Sequence, residues 1–466
     1  MAAASESSLA QLRAELTGSV FARGEEGYAE ETSGFILNAH VDPDYVVAVA
    51  NEADVVAAVR FAVANELPVS VMSGGHGTYQ PITDGVLIRT NRLTEVVVDV
   101  EAKRVRIGAG ANWRTVLPHF VGTGLAPITG SAPTVGAIGL TIGGGYGPLS
   151  RYFGLVSDWA RQFRVVTGEG ELLVADEDNH ADLFWALRGG KVGLGIITEL
   201  TLEVPELEIV YGGGIYFDSS KIEQVYRTWV DWTKALPNNV GTSITIMRFP
   251  PLDIFPEPLR GQTVIHLRFS YVDPKASAEE LRAAGEQWLE PFRAIGQGLL
   301  DNIGILPATG LGVIHNDPDA PLYVWDKGRF LNDIDQDYVT ALLEVAGEGR
   351  DLPFITVETR YHGGEIYREP GPDTAGATGG RQAPYTFLVI AIPDPSLFTE
   401  AAPRALAQLL EAIDPWVHPE QSYHWSSHPY GDELKRLWSP EVAERLDEVR
   451  RKYDPKGLFV FGRVPA

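Results

Sequence analysis

The placement of glycine constrains this chain more than any other feature. Clusters stand at Gly74-Gly75, at 108–110, at 143–145 with Gly147, at Gly189-Gly190, and at Gly193 with Gly195. Most fall at the ends of segments that read as strands. There, a backbone without Cβ atoms can gather several N–H groups into a nest that holds phosphate without basic side chains. A tight turn accounts for any one cluster equally well. So many of them between Gly74 and Gly195 favour a dinucleotide. The common nucleotide loops are absent: 143–148 does not complete Gly-x-Gly-x-x-Gly between a strand and a helix, and Gly190-Lys191 is not followed by Ser or Thr.

Around these clusters the pattern is α+β. Strands are expected at 46–49, 67–72, 86–89, 95–99 and 104–108, and helices at 8–18, 52–65 and 113–121. A glycine-rich loop should span 122–147. A hairpin (163–166 with 171–175), a helix (182–187) and a strand (196–204) close the first part. Beyond Pro205 the composition changes. Strands at 209–217, 242–248, 263–271, 355–362 and 386–392 alternate with helices near 219–235, 277–292, 335–348 and 398–413. This reads as a second unit, an antiparallel sheet covered by helices on one face. Segments 308–322 and 369–384 read as loops, and 440–452 as a helix. The expected division is 1–205, 206–414 and 415–466, the last returning to complete the first.

Composition removes several function classes. The chain has 466 residues, 44% of them hydrophobic, enough for real cores. With 38 basic and 62 acidic residues the net charge is −24, a poor match to nucleic acid or anionic lipid. There is no cysteine, which excludes disulfides, thiolate metal sites, Fe–S clusters and cysteine nucleophiles. The 10 histidines are scattered, without metal-ligand spacing, so no metal is expected. The start lacks a basic region leading into a long apolar run, and no stretch of about 18 apolar residues occurs. The expectation is a bacterial-type cytoplasmic enzyme. Oligomeric state is not legible.

His76 is the one histidine set among glycines, in Ser73-Gly74-Gly75-His76-Gly77 at a strand end. Its small neighbours let a large group reach the ring. Further motifs follow in order: Gly108-Ala109-Gly110-Ala111, Pro133-Thr134-Val135-Gly136, Gly143-Gly144-Gly145-Tyr146-Gly147-Pro148-Leu149-Ser150-Arg151, Asp182-Leu183-Phe184-Trp185-Ala186-Leu187-Arg188-Gly189-Gly190, and Tyr453-Asp454-Pro455 with Phe459. In this order they resemble the berberine-bridge-enzyme-like FAD-linked oxidases of the vanillyl-alcohol-oxidase superfamily. The resemblance is strong over 40–205 and the tail, and specific for fold and cofactor rather than substrate. It implies a two-domain PCMH-type FAD-binding fold with an inserted substrate domain. It also implies FAD bound covalently through His76 at the 8α-methyl of the flavin ring. The implied cofactor residues are Ser73, Gly74, Gly75, His76, Gly77, Thr78, Tyr79, Ala132, Pro133, Thr134, Val135, Gly136, Gly139, Gly143, Gly144, Gly145, Tyr146, Gly147, Gly195, Ile197 and Phe459.

The departures from that pattern are informative. Many relatives carry a second flavin link from a Cys before Pro-Thr-Val; here the position is Ala132, so a single link is expected. Met72 replaces a usual Arg, and Lys191-Val192-Gly193-Leu194 departs from the usual sequence after the paired glycines. Val135 falls at a gate position where Val goes with oxygen access, which implies an oxidase releasing H2O2. An ordinary loop valine is the other reading. The C-terminal Tyr-x-Asn-Tyr/Phe pattern survives only as Tyr423-His424-Trp425-Ser426, and Ser426 cannot serve as the catalytic tyrosine.

The base must then lie elsewhere. Alternation along 354–362 puts Thr356, Glu358, Arg360 and His362 on one strand face. Glu358 or His362 can take the proton while hydride leaves for the flavin. A solvated or salt-bridged face is the competing reading. Tyr423, His424 and Tyr430 are further candidates. Tyr216, Trp229, Trp232 and Trp325 are candidates to stack a substrate ring, although helical spacing suits Trp229 and Trp232 to the core equally well. The partners expected are a small-molecule substrate and O2. The rival readings are a flavin dehydrogenase or oxidative cyclase not using O2, and a non-catalytic flavin carrier.

Overall fold

Three sheets organise the chain in the computed structural model, which describes residues 4–191, 193–367, 376–421, 424–425 and 436–460. The first has four strands in the order Ser19–Ala22, Tyr45–Ala48, Val86–Arg89, Val69–Met72, and the last three run parallel. Its crossover is the helix Glu52–Ala64. Asn51 caps that helix by accepting a hydrogen bond from the Asp54 N–H, and Val55, Ala58, Val59 and Ala62 bury one stripe at i, i+3, i+4, i+7 spacing. The second sheet is antiparallel, in the order Val96–Asp99, Arg104–Gly108, Ile196–Glu203, Ala160–Val166, Leu172–Ala175.

The third sheet is antiparallel and has eight strands. Its centre runs Ile209–Asp218, Thr263–Tyr271, Val240–Arg248, Phe354–Tyr361, Tyr385–Ala391, Asp326–Leu331. Helices Ile222–Thr233, Ala278–Arg293, Gln336–Ala346 and Ala401–Ile413 share one apolar core with it. The expected α+β class and the helix-covered antiparallel sheet are both present. The tail returns to the first sheet: the Val69 N–H donates to Leu458 O at 2.8 Å, and the helix Pro440–Tyr453 joins the core of the second sheet.

Several local expectations are corrected. The helix expected over 113–121 is an α-turn, Trp113–Val116, that tightens into a 3-10 segment, Leu117–Phe120, where Pro118 removes a donor. The loop expected over 122–147 contains a short helix, Ala137–Thr141, and that expected over 308–322 contains a 3-10 segment, Ala308–Ile314. The strands Ser19–Ala22 and Asp326–Leu331 were not anticipated, the latter because Asp-Lys-Gly-Arg opens it without apolar alternation. The four proposed ring-stacking aromatics are spent internally. Trp229 and Trp232 lie in the third-sheet core, Tyr216 stacks on His266, and Trp325 stacks on Phe354. Among the described residues no helix is long and apolar enough to cross a membrane.

Candidate functional site

The loop at the end of strand Val69–Met72 opens onto a cavity of about 350 Å³, within the usual range of about 300–1,000 Å³ for small-molecule sites. Ser73, Gly74, Gly75, His76, Gly77, Thr78 and Tyr79 all line it. So do Val135, Gly136 and Gly139 from the start of the short helix, and Gly195, Ile197 and Phe459 from two distant segments. Three properties of the His76 loop bear on what the cavity can hold.

First, the loop is built to be bare. Gly75 has φ +82°, and a Cβ there would lie 2.9 Å from Gly34 Cα, so the turn requires glycine on both counts. At Gly74, Gly77, Gly136 and Gly139 a Cβ would meet nothing within 4 Å. Side chains at those positions would occupy space that the glycines leave open. Second, the loop carries unused donors. Among the described residues the N–H groups of Gly74, Gly75, His76 and Gly77 meet no acceptor, whereas the Thr78 N–H closes back onto Gly75 O. Successive free N–H groups of this kind form an anion nest. Third, the His76 imidazole is held flat against Phe35, with centroids 3.5 Å apart and an interplanar angle of 19°. Its Nε2 is buried without a hydrogen-bond partner. Burial pushes its pKa down to about 4, so the ring is neutral at pH 7. A bare cradle, free N–H groups and a neutral imidazole together fit a phosphate-bearing aromatic cofactor.

The structure does not bring every expected cofactor residue to this cavity. Ala132, Pro133 and Thr134 lie off its lining. Pro133 O instead accepts from the Arg114 N–H at 2.7 Å. The run Gly143–Gly147 is also off the lining, because its amides are already bonded: Gly143 N–H to Leu140 O, Gly144 N–H to Thr141 O, Gly145 N–H to His424 Nε2, Gly147 N–H to Ser150 Oγ. The space beside these glycines is filled by His424, Thr378, Val156 and the Thr129 carbonyl. Lys191, named in the sequence only as a departure from the family pattern, and His424, a candidate base, line the cavity. Lys191 donates to Gly139 O at 2.5 Å, and burial lowers its pKa to about 8. Phe35 was missed, and no sequence signal marks it.

Tyr146 stands between this cavity and a second, smaller one. Its ring lies 6.1 Å from His424 and 5.0 Å from His362, and its hydroxyl is buried without a partner. The smaller cavity, about 30 Å³, lies against the uncovered face of the third sheet and is lined by Tyr146, Ser243, Arg268, His315, Arg360 and His362 among others. The expected polar strand face is therefore real, and it is buried rather than solvated. Glu358 accepts from Arg268 Nη1 at 2.8 Å and from Arg360 Nε and Nη2 at 3.1 and 3.0 Å. Despite burial, the two guanidiniums hold its carboxyl well below the usual range. His362 bonds Thr386 Oγ1 through Nε2 at 2.5 Å, and burial lowers its pKa to about 3. Tyr423, Ser426 and Tyr430 lie outside the described residues.

The match to known proteins is consistent with the geometry. A family model described as an FAD binding domain matches residues 43–176. An FAD-linked oxidoreductase of Emericella nidulans, afoF, is 35% identical over 433 residues, covering 88% of this chain and 84% of that protein. The crystal structure of 6-hydroxy-D-nicotine oxidase from Arthrobacter nicotinovorans superposes with a TM-score of 0.81 at 20% identity, covering 95% of this chain and 96% of the other. A glucooligosaccharide oxidase from Acremonium strictum with a 6-S-cysteinyl, 8α-N1-histidyl FAD superposes with a TM-score of 0.79 at 20% identity, covering 97% of this chain and 98% of the other.

Proposed function

Since the chain belongs to the FAD-linked oxidoreductases, we propose that it is an oxidase holding FAD through one covalent bond to His76. The observation that carries this is the neutral His76 imidazole, its Nε2 unpartnered, in a loop whose residues 74–77 have unused backbone N–H groups among the described residues. The nest suits the pyrophosphate, and the imidazole suits the flavin ring. The bond replaces one hydrogen of the 8α-methyl and the imidazole hydrogen, and the two electrons released go to O2. The absence of cysteine leaves no side chain for a second link at Ala132. In this reading 1–205 and 415–466 hold the cofactor and 206–414 forms the substrate side, supported by the return of Leu458 to Val69.

FAD, held there, would supply the acceptor for a substrate hydride and the route by which the electron pair reaches O2 as H2O2. The chain's part is orientation and proton removal. We assign proton acceptance to Nδ1 of His362, which is neutral and lines the smaller cavity beside Tyr146 while its Nε2 bonds Thr386 Oγ1. Glu358 is the weaker base, because both its oxygens are already bonded to guanidiniums. A substrate CH–OH, or an equivalent C–N centre, then loses hydride and proton together. Val135 lines the cofactor cavity at the position proposed to admit O2.

Acid precipitation tests the link. The wild-type pellet should stay yellow, and that of His76→Ala should be white with all pigment in the supernatant. A colourless wild-type pellet contradicts the link. Anaerobic bleaching by substrate, with colour and H2O2 returning on air, tests the oxidase; a flavin that stays bleached in air identifies a dehydrogenase instead.

A further inference from the structure

The third sheet's inward face carries more polar capacity than its own contacts use. Register places Ser243 opposite Arg268 on one side and Arg360 on the other, and places Thr245 between His266 and Glu358 in the same way. Residues directly opposite one another share a face, so these form two adjacent rows across three strands. Arg268, Ser243 and His266 are each at most 4% exposed, and His315 is 7% exposed. Among the described residues Arg268 Nε, Ser243 Oγ, His266 Nδ1 and both ring nitrogens of His315 have no hydrogen-bond partner.

Such a set is unusual, because buried polar atoms are nearly always satisfied and each orphan forfeits its lost hydration. The local charge does not close either. Arg268, Arg360 and Arg151, the last donating to backbone carbonyls, contribute three positive charges against one from Glu358, and burial keeps His266 and His315 neutral. A net positive charge remains beside the cavity that Arg151, Arg268, Arg360, Ser243 and His315 line. That cavity, about 30 Å³, has room for about two water-sized groups at roughly 10–15 Å³ each. A group with two oxygens and a negative charge matches that inventory.

We infer that the row Arg268–Ser243–Arg360, with His315, is a carboxylate subsite, so that the molecule oxidised is an organic acid with its carboxylate at the sheet. This rests on the oxidase reading for the word oxidised, but the subsite stands on the sheet alone. Arg268 Nε, Ser243 Oγ and the N–H of His315 donate to the carboxylate, and its charge offsets the excess guanidinium. The body of the acid extends past Tyr146 toward the cofactor cavity. Neutral sugars and simple alcohols leave the same donors unpaired and bind poorly.

The test titrates purified holoenzyme with benzoate and, separately, with benzamide, its neutral counterpart. Binding is followed by tryptophan fluorescence, since the Arg360 guanidinium sits 4.6 Å over the Trp425 ring, and by thermal shift. Benzoate should bind at least tenfold tighter than benzamide. Arg360→Gln should remove that preference, and Ser243→Ala should reduce it about threefold. Glu358→Gln should enlarge it, because the subsite then gains a charge. Arg360 is the partly exposed member of the pair, so its variant is the one expected to stay folded where Arg268→Met is not. Equal binding of the two probes, or a preference unchanged in Arg360→Gln, overturns the inference. Flavin content measured on the same samples separates the two readings. Yellow protein blind to charge sinks the subsite alone, whereas colourless protein that selects benzoate sinks the oxidase reading alone.

Discussion

Two binding surfaces meet at Tyr146, and they prepare for charge by opposite means. The His76 loop uses backbone: Gly74 and Gly77 leave room at their Cβ positions, four N–H groups meet no acceptor among the described residues, and no cationic side chain belongs to the loop. The sheet face uses side chains: two arginines, one glutamate and two neutral histidines, nearly all buried. A backbone nest tolerates little substitution, because its donors depend on φ and on close approach. A side-chain face can be retuned residue by residue on a fixed sheet. On the proposed function, cofactor binding sits on the rigid half and substrate choice on the adjustable half.

The largest expected effect tests whether the two halves are separable. His362→Gln should lower kcat by about 10²–10⁴-fold while leaving flavin content and benzoate affinity near wild type. Loss of flavin would break the separation. The pH profile carries a sign. A base with a pKa of about 3 is already deprotonated across pH 5–8, so kcat/KM should be flat there, falling only as pH drops toward 3.

Next, Glu358→Gln should cost about 3–5 kcal/mol of stability at pH 7, read by denaturant melts, because it leaves two guanidiniums without their counter-charge. The folded carboxyl is depressed below its unfolded value, so this contribution is complete above pH 4.5 and shrinks as pH falls through the folded pKa. The gap between variant and wild type should therefore narrow in acid.

The two halves also differ in how readily sequence reveals them. Ser73–Tyr79 is contiguous, and its glycines announce a turn whose geometry is local. That is why the His76 cavity was legible from one short string. At Gly143–Gly147 the glycines also pack closely against Thr378, Val156 and His424, partners that a local reading does not supply. The strand face 354–362 was legible as polar through its alternation. Its chemistry was not, because Arg268, Ser243 and His315 join Glu358 only through the register of three antiparallel strands and a distant 3-10 turn. Trp229 and Trp232 show the bland reading of a helical aromatic pair prevailing.

Two smaller effects sharpen the contrast from the cradle side. Gly75→Ala should cost about 1–3 kcal/mol, since φ +82° and a 2.9 Å approach to Gly34 Cα both oppose it. Gly74→Ala, with open space around its Cβ, should leave the melting temperature unchanged and lower flavin occupancy instead. Phe35→Ala should be mildest. Uncovering His76 lets its pKa climb from about 4 back toward 6.5. At pH 6 part of the imidazole is then protonated and unable to form the link, so flavinylation should slow roughly fourfold, with little change at pH 8.

The central claim is a single bond between His76 and FAD, and peptide mass spectrometry of the digested holoenzyme reads it directly. The account predicts one FAD equivalent on the peptide that contains His76 and none elsewhere. An unmodified His76 peptide from protein purified yellow, or the flavin found on any other residue, would contradict it.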